Sequence, residues 1–464
     1  MNKKKKIVKY KVASLIALVI FLITLFANYI LPLRYELVIS IISILLFLFA
    51  IRKRSKTVHI VFIVMMLVPT LGLFYSQSIF NRIFENSDFE TNKISFIKLT
   101  KSDLTVDSIN TDTVFGQSIG FDNDSFDQIN EDLASRFDFK INMLTSESDF
   151  DTVQKLYDRE FEIGIIDNAV IETIAETYPW FGVDFEVLWT IEREIKRDDI
   201  TKEVSVDKDA FVVLISGIDI NGRISLRSRS DVNILMVVNP TKGTISLVSI
   251  PRDMFVPFAC KNDALDKLTH SGIYGINCTV KTIENFVGID INYYVRMNFT
   301  SFIKIIDVIG NIDVYSNYDF TTVTGIYSFK KGMNTMDSEE ALAFARERKA
   351  FEGGDVQRGL NQQEVIKAVI KKLISPNTLT KIDKIVSSVA KSIDTNLDPA
   401  DLQKLIALQI DKGIDWQFSS YHISGTESRR ETYSIPGQEL FVVLPSNESV
   451  ENIKEVILAA MQDD

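Results

Sequence analysis

The sequence contains few of the residues that usually build metal clusters or covalent catalytic centres. It has only two cysteines and three histidines in 464 residues. Cys260 and Cys278 do not form a CxxC pair, and the histidines are scattered, so the spacing of a zinc site is missing. No serine, cysteine or histidine stands in a pattern typical of an activated nucleophile. The separation of the two cysteines is compatible with a disulfide if the region lies in an oxidising compartment.

The chain also lacks an excess of positive charge. Lysine and arginine number 51 against 62 aspartates and glutamates, which gives a net charge of -11. This balance argues against broad, non-specific binding to nucleic acid, and no nucleic-acid partner is expected. No helix-turn-helix signal accompanies it, so a transcription factor is excluded, whereas a local anion site is still allowed.

The first eighty residues differ in composition from the rest. Apolar runs cover 12–31, 37–51 and 58–75, and crossing a bilayer takes about 20 apolar residues. The second run has 15 residues, so a re-entrant or interfacial segment is its alternative reading. No small-residue cleavage site follows the first run, which favours retained spans over a signal peptide. The sequence therefore predicts residues 1–80 as a basic cytoplasmic N-terminus with three transmembrane helices.

The basic residues decide the predicted orientation. Lysines at 3–6 and the run 52–56 (RKRSK) flank these spans and are expected in the cytoplasm. Three spans then place residues 77–464 outside the cell, whereas two or four would place them inside. We therefore predict a multi-pass protein of the cell membrane with its large C-terminal region extracellular.

Beyond a polar connector at 81–92, short helical and strand patterns alternate. This predicts a small α/β or α+β accessory domain at 93–197. Its strands are predicted at 94–99, 139–144, 161–166 and 183–191, and its helices at 125–137, 149–157 and 169–177. Ser125 is the predicted cap of the first helix. The many aspartates here lack a calcium-loop pattern and are read as a solvated acidic surface.

The charged segment 196–209 (KRDDITKEVSVDKD) is read as a domain boundary, and 205–464 as one α/β domain. Strands are predicted at 210–218, 232–238, 244–250 and 311–314, the second and third forming a hairpin. Helices are predicted at 280–287 and 299–309, and the tail 441–461 is read as a strand followed by a helix. The apolar hairpin strands predict a sheet that is partly buried on both faces.

Charged residues stand at the ends of these predicted strands. Asp219 follows 210–218, Arg229 and Asp231 precede 232–238, and Arg252 and Asp253 follow 244–250. Ligands of open α/β sheets bind outside strand ends, where loops converge. We therefore expect these five residues to share a site.

The stretch 341–363 (ALAFARERKAFEGGDVQRGLNQQ) also contains several arginines together with acidic and amide side chains. Arg346 and Arg348 have the spacing that places both guanidiniums on one side of an extended segment. A helix is predicted to open at Asp355, so that Asp355, Arg358 and Gln362 line one helical face. Arginine forks and a helix N-terminus together suit a phosphate or pyrophosphate. The alternative is a solvated helix held by ion pairs, which the acids and amides on the same face disfavour.

The carboxylates indicate a cation. Asp219 and Asp231 beside a pyrophosphate would repel it unless a hard cation lay between them, and Mg²⁺ is the natural choice. Because no nucleophile is apparent, direct phosphoryl transfer to a bound hydroxyl is simpler than a covalent intermediate.

These motifs resemble those of the LytR–CpsA–Psr phosphotransferases. The likeness runs from about 211 to 373 through RSDVNILMVVNP, ISLVSIPRDMFVP, DKLTHSGIYG, INYYVRMNFTSFIKIIDVIGNIDV, ALAFARERK and GGDVQRGLNQQ. It implies an α/β/α catalytic domain with a mixed central sheet. Three spans and an accessory domain before this domain resemble the streptococcal-type capsule members, whose extra domain is likened to a DNA polymerase processivity fold.

The resemblance also implies roles for single residues. Asp219 and Asp231 match aspartates associated with Mg²⁺, and Arg252, Asp253 and Asp355 are the predicted catalytic residues. Asp253 and Asp355 match acids of the family motifs, as base, metal ligand or partner that orients an arginine. The residues predicted to hold the pyrophosphate are Arg229, Arg252, Arg346, Arg348, Arg358 and Gln362. One departure is that RGLNQQ stands where many members have RQQRQ, which removes a basic position.

The implied function is Mg²⁺-dependent transfer of a polyprenyl-pyrophosphate-linked glycopolymer, a capsular polysaccharide, to peptidoglycan, which leaves a phosphodiester. The implied partners are this lipid-linked polysaccharide, peptidoglycan, the membrane and the capsule synthesis machinery. Two alternatives stay open: a pyrophosphate hydrolase with the same site, and a non-enzymatic membrane regulator of polysaccharide synthesis.

His270 is expected to be a histidine in a turn whose hydrogen bonds are satisfied within the protein. Tyr293, Tyr294 and Phe299 are expected in the core, with a lipid tunnel as their alternative role.

Overall fold

The structure is a computed structural model of the chain, and it describes residues 2–81, 89–178, 180–218, 223–379 and 381–462. Asp219, one of the two predicted metal ligands, lies outside the described residues. The other predicted site residues lie within them.

Three long apolar helices form the N-terminal part: α1 (Asn2–Phe26), α2 (Leu33–Arg52) and α3 (Lys56–Asn81). All three are long and apolar enough to cross a membrane, which confirms the predicted number. Two bounds were wrong. The first helix ends at Phe26 and not at Leu31, and the second has 20 residues and not 15, because charged residues at both ends continue it.

The accessory region places three parallel strands beside two antiparallel ones. Its elements are β1 (Phe89–Leu99), β2 (Val114–Ser118), α4 (Asn123–Arg136), β3 (Asn142–Ser146), α5 (Asp149–Tyr157), β4 (Ile163–Asp167), α6 (Ile171–Thr177), α7 (Phe181–Asp184) and β5 (Phe185–Lys196). The strand order is β3-β2-β4-β1-β5. Strands β2, β3 and β4 run parallel, and β1 pairs antiparallel with both β4 and β5. The long β1 strand therefore lies inside this sheet.

Several local predictions for this region were wrong. Strand β1 begins at Phe89, inside the predicted polar connector, and β3 covers Asn142–Ser146 and not 139–144. Asp122, and not Ser125, caps α4, because the Asp122 carboxylate accepts the backbone N–H of Ser125 at 2.7 Å. The strand predicted from 183 begins at Phe185, after the single turn of α7. The short strand β2 was missed, since its sequence, VFGQS, is too short to show alternation.

The C-terminal region is a mixed α/β domain, as predicted. Its elements are β6 (Phe211–Ile218), β7 (Ser230–Asn239), β8 (Thr244–Ser249), β9 (Phe255–Phe258), β10 (Ala264–Lys267), α8 (Ile276–Val287), β11 (Tyr293–Asn298), α9 (Phe299–Ile309), β12 (Ile312–Ser316), β13 (Phe320–Thr321), β14 (Ser328–Phe329), β15 (Gly332–Met336), α10 (Ser338–Arg346), α11 (Gly354–Leu373), α12 (Pro376–Leu379), α13 (Ile382–Val389), β16 (Ile393–Thr395), α14 (Pro399–Lys412), β17 (Gln417–His422), β18 (Gly425–Thr432), β19 (Ile435–Pro445) and α15 (Asn447–Met461).

The central sheet has the order β16-β11-β6-β7-β8-β17 and is mixed. The predicted hairpin is β7–β8, which pairs antiparallel, whereas β6 runs parallel to β11. Alternate residues of β6 face opposite layers: Val212 and Leu214 pack towards α8 and α15, and Val213 and Ile215 towards α11 and α14. Each such buried aliphatic side chain contributes about 1.5–3 kcal/mol. The expected α/β/α architecture is therefore confirmed.

The C-terminal domain rests on one end of the helical bundle. Ile79 and Phe80 at the end of α3 are buried against Val386 of α13 and Ile406 of α14. Arg34, at the start of α2, pairs with Asp411 of α14 at 2.7 Å. The end of the bundle that holds the α1–α2 turn and the α3 terminus therefore faces the domain, and the basic α2–α3 turn lies at the other end.

Candidate active site

Asp231 lies at the centre of the predicted constellation. It follows Ser230 at the start of β7 and is buried. Its Oδ1 accepts hydrogen bonds from Arg252 Nη1 at 3.0 Å and from Thr269 Oγ1 at 2.7 Å. Arg229 Nη2 lies 3.8 Å from Oδ2. The carboxylate is thus held by two hydrogen bonds, from Arg252 and Thr269, and by an ion pair with Arg229.

A second carboxylate supports the same arginine. Asp253 is buried directly after Arg252, in the turn that follows β8, and its Oδ2 lies 3.8 Å from Arg252 Nε. Lys267, the last residue of β10, donates to Asp253 Oδ1 at 3.1 Å. Arg252 therefore lies between two acids, and this arrangement fixes the direction of its guanidinium.

The remaining arginines come from the α10–α11 hairpin. Arg346 is the last residue of α10, and the chain then leaves the helix in extended conformation at Glu347, as predicted. Asp355 lies in the first turn of α11, where its Oδ1 is 2.5 Å from Arg358 Nη2. Gln362, one turn further on, donates to the carbonyl of Ala345 at 3.3 Å. The predicted helical face is therefore real, although the helix begins at Gly354.

Helix α11 can lie close to the sheet because of a glycine. A Cβ at Gly359 would lie 2.5 Å from the Ser249 hydroxyl, at the end of β8. Any side chain there would push α11 away from the strand that leads into Arg252. Gly359 thus lets Arg358 reach the group around Asp231.

Electrostatic effects show that these residues act on one another. Burial alone would raise the pKa of Asp231, but Arg252 and Arg229, together with Thr269 and Arg358, hold it below its usual range. Burial, with the nearby positive charges of Arg252 and Arg348, lowers the pKa of Arg358 in spite of Asp355. Burial would lower the pKa of Arg252 too, but Asp231, Asp253 and Asp355 raise it. Several arginines therefore repel one another here, and an anion with more than one charge would relieve that repulsion.

An apolar cavity of about 100 Å³ adjoins this group. Asp231, Arg346 and Gln362 contribute its polar wall, and Phe299 and Phe302 of α9 belong to its apolar wall. The Arg346 guanidinium lies 4.1 Å from the centre of the Phe299 ring. Phe299 thus lines this cavity and is only half-buried, whereas a core position was expected. By contrast, the hydroxyls of Tyr293 and Tyr294 donate to Asp401 and Asp394, so both belong to polar core contacts.

The fit of a magnesium ion rests on Asp231. Its Oδ2 is buried and has no hydrogen-bond partner among the described residues. Within the described residues no group of three histidine, cysteine, aspartate or glutamate side chains is placed to hold a metal. Mg²⁺ does not need one, since it commonly takes one or two carboxylates together with phosphate oxygens and water. Asp231 therefore fits a magnesium ligand, and Asp219 lies outside the described residues.

Three contributing residues, Lys267, Thr269 and Glu347, were missed by sequence reasoning. Lys267 and Thr269 both lie in the DKLTHSG motif, where their two-residue spacing was the available signal. Glu347 accepts the backbone N–H of Arg348 and of Ala350, each at 3.0 Å, and so orders the loop that carries Arg348. The disulfide that the sequence allowed is present: it joins Cys260 to Cys278 and closes the segment that contains the motif.

His270 is satisfied, as expected. Its Nδ1 lies 2.7 Å from Asp266 Oδ1, and both side chains are buried.

Comparison with known proteins places this site in a family. Residues 186–443 match the model of the LytR_cpsA_psr family. The chain belongs to the LytR–CpsA–Psr family, which confirms the resemblance noted in its motifs.

Two proteins of Bacillus subtilis are similar to this chain. The chain is 36% identical over 243 residues to the polyisoprenyl-teichoic acid–peptidoglycan teichoic acid transferase TagU of Bacillus subtilis, a match of 52% of this chain and 76% of that protein. It is 36% identical over 220 residues to TagT of the same organism, which bears the same transferase name, with 45% and 66% covered.

Solved structures also resemble part of this chain. The crystal structure of B. subtilis TagU is 29% identical and covers 55% of this chain and 99% of its own, with a TM-score of 0.44. TagT bound to LIIa-WTA is 28% identical and covers 56% and 94%, with the same TM-score of 0.44.

Proposed function

We propose that this protein transfers a polyprenyl-pyrophosphate-linked glycopolymer to peptidoglycan, and that the polymer is a capsular polysaccharide. The relatives are named as transferases that act between polyisoprenyl-linked teichoic acid and peptidoglycan, which supports the reaction class. We propose a capsular polysaccharide as the polymer because the three spans followed by an accessory domain resemble the organisation of the capsule-type members.

One observation carries the proposal: an arginine cluster meets an apolar cavity at the same residues. Asp231 accepts from Arg252 on one side and lines the cavity on the other, and Arg346 belongs to both environments. A ligand that is multiply anionic at one end and hydrocarbon at the other satisfies both halves. A prenyl pyrophosphate has this structure, whereas a nucleotide or a free sugar phosphate would leave the apolar wall uncovered.

The proposed reaction is a direct displacement. The oxygen of a peptidoglycan sugar hydroxyl attacks the phosphorus next to the glycopolymer, and the bond from that phosphorus to the bridging oxygen breaks. The products are a phosphodiester between the polymer and peptidoglycan, and a prenyl monophosphate. The hydroxyl proton passes to a carboxylate, for which Asp355 and Asp253 are the candidates, and Arg252 and Arg358 stabilise the charge on the leaving phosphate.

A bound Mg²⁺ would supply further charge neutralisation on the pyrophosphate. Asp231 would hold it, together with Asp219, through its Oδ2, which accepts no hydrogen bond from the described residues. The arginines carry out the remaining work of binding and orientation, since their planar forks match paired phosphate oxygens.

The packing of the domain on the helical bundle supports an extracellular site. The domain lies on the end of the bundle that is opposite the basic α2–α3 turn, and basic turns favour the cytoplasmic side. The same packing keeps the domain close to the membrane, where a lipid-linked substrate resides.

The test uses the full-length protein in detergent, with a lipid-pyrophosphate-linked saccharide and peptidoglycan fragments. Wild type should form a saccharide–peptidoglycan phosphodiester. Arg252→Ala and Arg358→Ala should each lower the rate by about 10²–10³-fold, the loss typical of removing a group that stabilises charge in the transition state. Arg430→Ala, at an exposed arginine of β18, is the matched control.

Acceptor dependence separates transfer from hydrolysis. If wild type released prenyl monophosphate at the same rate with and without peptidoglycan fragments, the protein would be a hydrolase. Unchanged turnover in both Arg252→Ala and Arg358→Ala would contradict the placement of the site.

A further inference from the structure

Glu90 belongs to the accessory sheet but is buried in the catalytic domain. It is the second residue of β1, and only 2% of it is exposed. The family match begins at residue 186, so Glu90 lies outside the matched region. A fully buried carboxylate at a domain junction is costly unless it is paired and hydrogen-bonded.

Three donors of the catalytic domain satisfy this carboxylate. Oε1 accepts from Arg296 Nη1 at 3.1 Å and from the backbone N–H of Ile276, at the start of α8, at 2.9 Å. Oε2 accepts from Arg227 Nε at 3.2 Å. A Cβ at Gly275 would lie 2.3 Å from Oε2, so only glycine leaves room for Glu90 there. Burial opposes ionisation, but Arg296, Arg227 and Arg197 keep the pKa of Glu90 below its usual value.

The next residue, Thr91, extends this contact along the backbone. Its N–H donates to the carbonyl of Ser225 at 2.8 Å, and its carbonyl accepts the N–H of Arg227 at 3.2 Å. Thr91 thereby forms a parallel bridge with Leu226. The segment 224–227 is therefore hydrogen-bonded alongside the start of β1, the first strand of the accessory sheet.

The same network holds the segment from its other side. Arg296 is buried in β11, and its Nη2 donates to the carbonyl of Ile224 at 2.9 Å. Asp394 of β16 accepts from Arg296 Nε at 2.9 Å and from Arg197 Nη1 at 2.9 Å. Arg197, directly after β5, also donates to the carbonyl of Phe89 at 3.1 Å. The first residues of β1 and the residue that follows β5 thus belong to one buried ion network.

The held segment leads directly into the site. It lies in the connection between β6 and β7, and Arg229 follows Arg227 by two residues, with Asp231 two further on. Fixing 224–227 removes conformational freedom that the connection would otherwise have, so the positions of both site residues depend on it.

We infer that Glu90 is a positioning residue for transfer: the first strand of the accessory domain holds segment 224–227 and thereby places Arg229 and Asp231 against the substrate pyrophosphate. The accessory domain then contributes to catalysis by fixing the positions of residues in the active site. The catalytic part of this inference rests on the proposed function, whereas the ordering of the segment does not.

The test compares Glu90→Gln with Glu194→Gln in the full-length protein. Glutamine keeps the size of Glu90 but removes the carboxylate that pairs with Arg227 and one of the two carboxylates that pair with Arg296, since Asp394 remains. Glu194 lies opposite Thr91 in β5, is exposed, and undergoes the same chemical change. Glu90→Gln should lower kcat for transfer about tenfold or more and speed amide hydrogen exchange at 224–229, with exchange in β7 and β8 unchanged. Glu194→Gln should match wild type in both.

If Glu90→Gln does not fold, Arg227→Gln removes a partly exposed partner of the carboxylate and should cause a smaller change of the same kind. Wild-type kcat and wild-type exchange at 224–229 in a folded variant would overturn the inference, as would faster exchange throughout the domain. Absence of transfer by wild type would overturn the proposed function, while the exchange comparison would still decide whether Glu90 orders the segment.

Discussion

Arg252 donates a hydrogen bond to Asp231 over 3.0 Å, although the two residues are 21 positions apart in the chain. The contact joins the turn after β8 to the start of β7, and it brings the SIPRD and RSD motifs into one site. The same carboxylate lines the apolar cavity. This pair is therefore where anion binding and hydrocarbon binding meet.

Asp231 should contribute stability that depends on pH. Its pKa is lowered in the folded state, so the contribution is fully present above the unfolded value of about 3.9 and is lost as the pH falls through the lower folded value. Thermal unfolding between pH 2 and pH 6 should show this loss for wild type and a flatter profile for Asp231→Asn. Identical profiles would show that the carboxylate is not held by the arginines.

The same substitution tests the metal. Asp231→Asn should raise the Mg²⁺ concentration for half-maximal transfer by about tenfold or more, because an amide oxygen is a weaker ligand than a carboxylate. The measurement is a Mg²⁺ titration after treatment with chelator, with Asp313→Asn, at an exposed aspartate of β12, as control. Activity of wild type that is indifferent to the chelator would remove magnesium from the mechanism.

Asp355 is the better placed of the two candidate bases. Its side chain is 24% exposed at the start of α11, whereas that of Asp253 is 9% exposed and is held by Lys267. Asp355→Asn should lower kcat about 10²–10⁴-fold, the usual range for general bases, without weakening lipid binding, since it removes a negative charge near the pyrophosphate. Steady-state kinetics and a lipid-binding assay check this split. A larger fall in kcat for Asp253→Asn, with Asp355→Asn close to wild type, would reverse the assignment.

The apolar cavity should bind the prenyl chain. Ala345 of α10 lines it, and Ala345→Phe would fill much of the space next to Arg346. We expect KM to rise strongly for a prenyl substrate and less for an analogue with a methyl group in place of the chain, because a cavity of about 100 Å³ holds only the first carbon atoms of a prenyl chain. Ala134→Phe, at an exposed position of α4, controls for the added bulk. Equal effects on both substrates would show that the prenyl chain lies elsewhere.

The disulfide should stabilise the site-bearing loop. Cys260 and Cys278 are 18 positions apart, and closing a loop of this size contributes about 3 kcal/mol, chiefly by restricting the unfolded chain. Replacement of both by serine should lower the free energy of unfolding by about that amount and should also slow transfer, since Lys267 and Thr269 lie within the loop. Denaturant unfolding with and without reductant provides the comparison, and reductant should have no effect on the double variant. Equal stability would show that the loop is ordered without the covalent bond.

The sequence predicted the elements best where burial dictates a strict period. The hairpin β7–β8 and helices α5 and α9 were predicted to within a few residues, because their apolar spacing matches one secondary structure only. The two-residue strands β13 and β14 were missed, since pairs that short carry no period. The charged segment at 196–209 was read as a plain boundary, yet Arg197 within it is buried and pairs with Asp394. A charged residue is usually exposed, but it can be buried where an oppositely charged residue from a distant part of the chain pairs with it.

The sequence by itself determined the three apolar spans, the mixed α/β class and the set of arginines and acids from which the site is drawn. These follow from local period, run length and motif spacing, which act over short distances along the chain. The tertiary structure alone decided which side chains touch. It placed Asp231 between Arg252 and Thr269, gave Arg346 a phenylalanine ring to stack on, and inserted Glu90 beside Arg296, 206 positions away. Such contacts depend on the order and register of strands, and no local pattern encodes which distant segment will supply the partner.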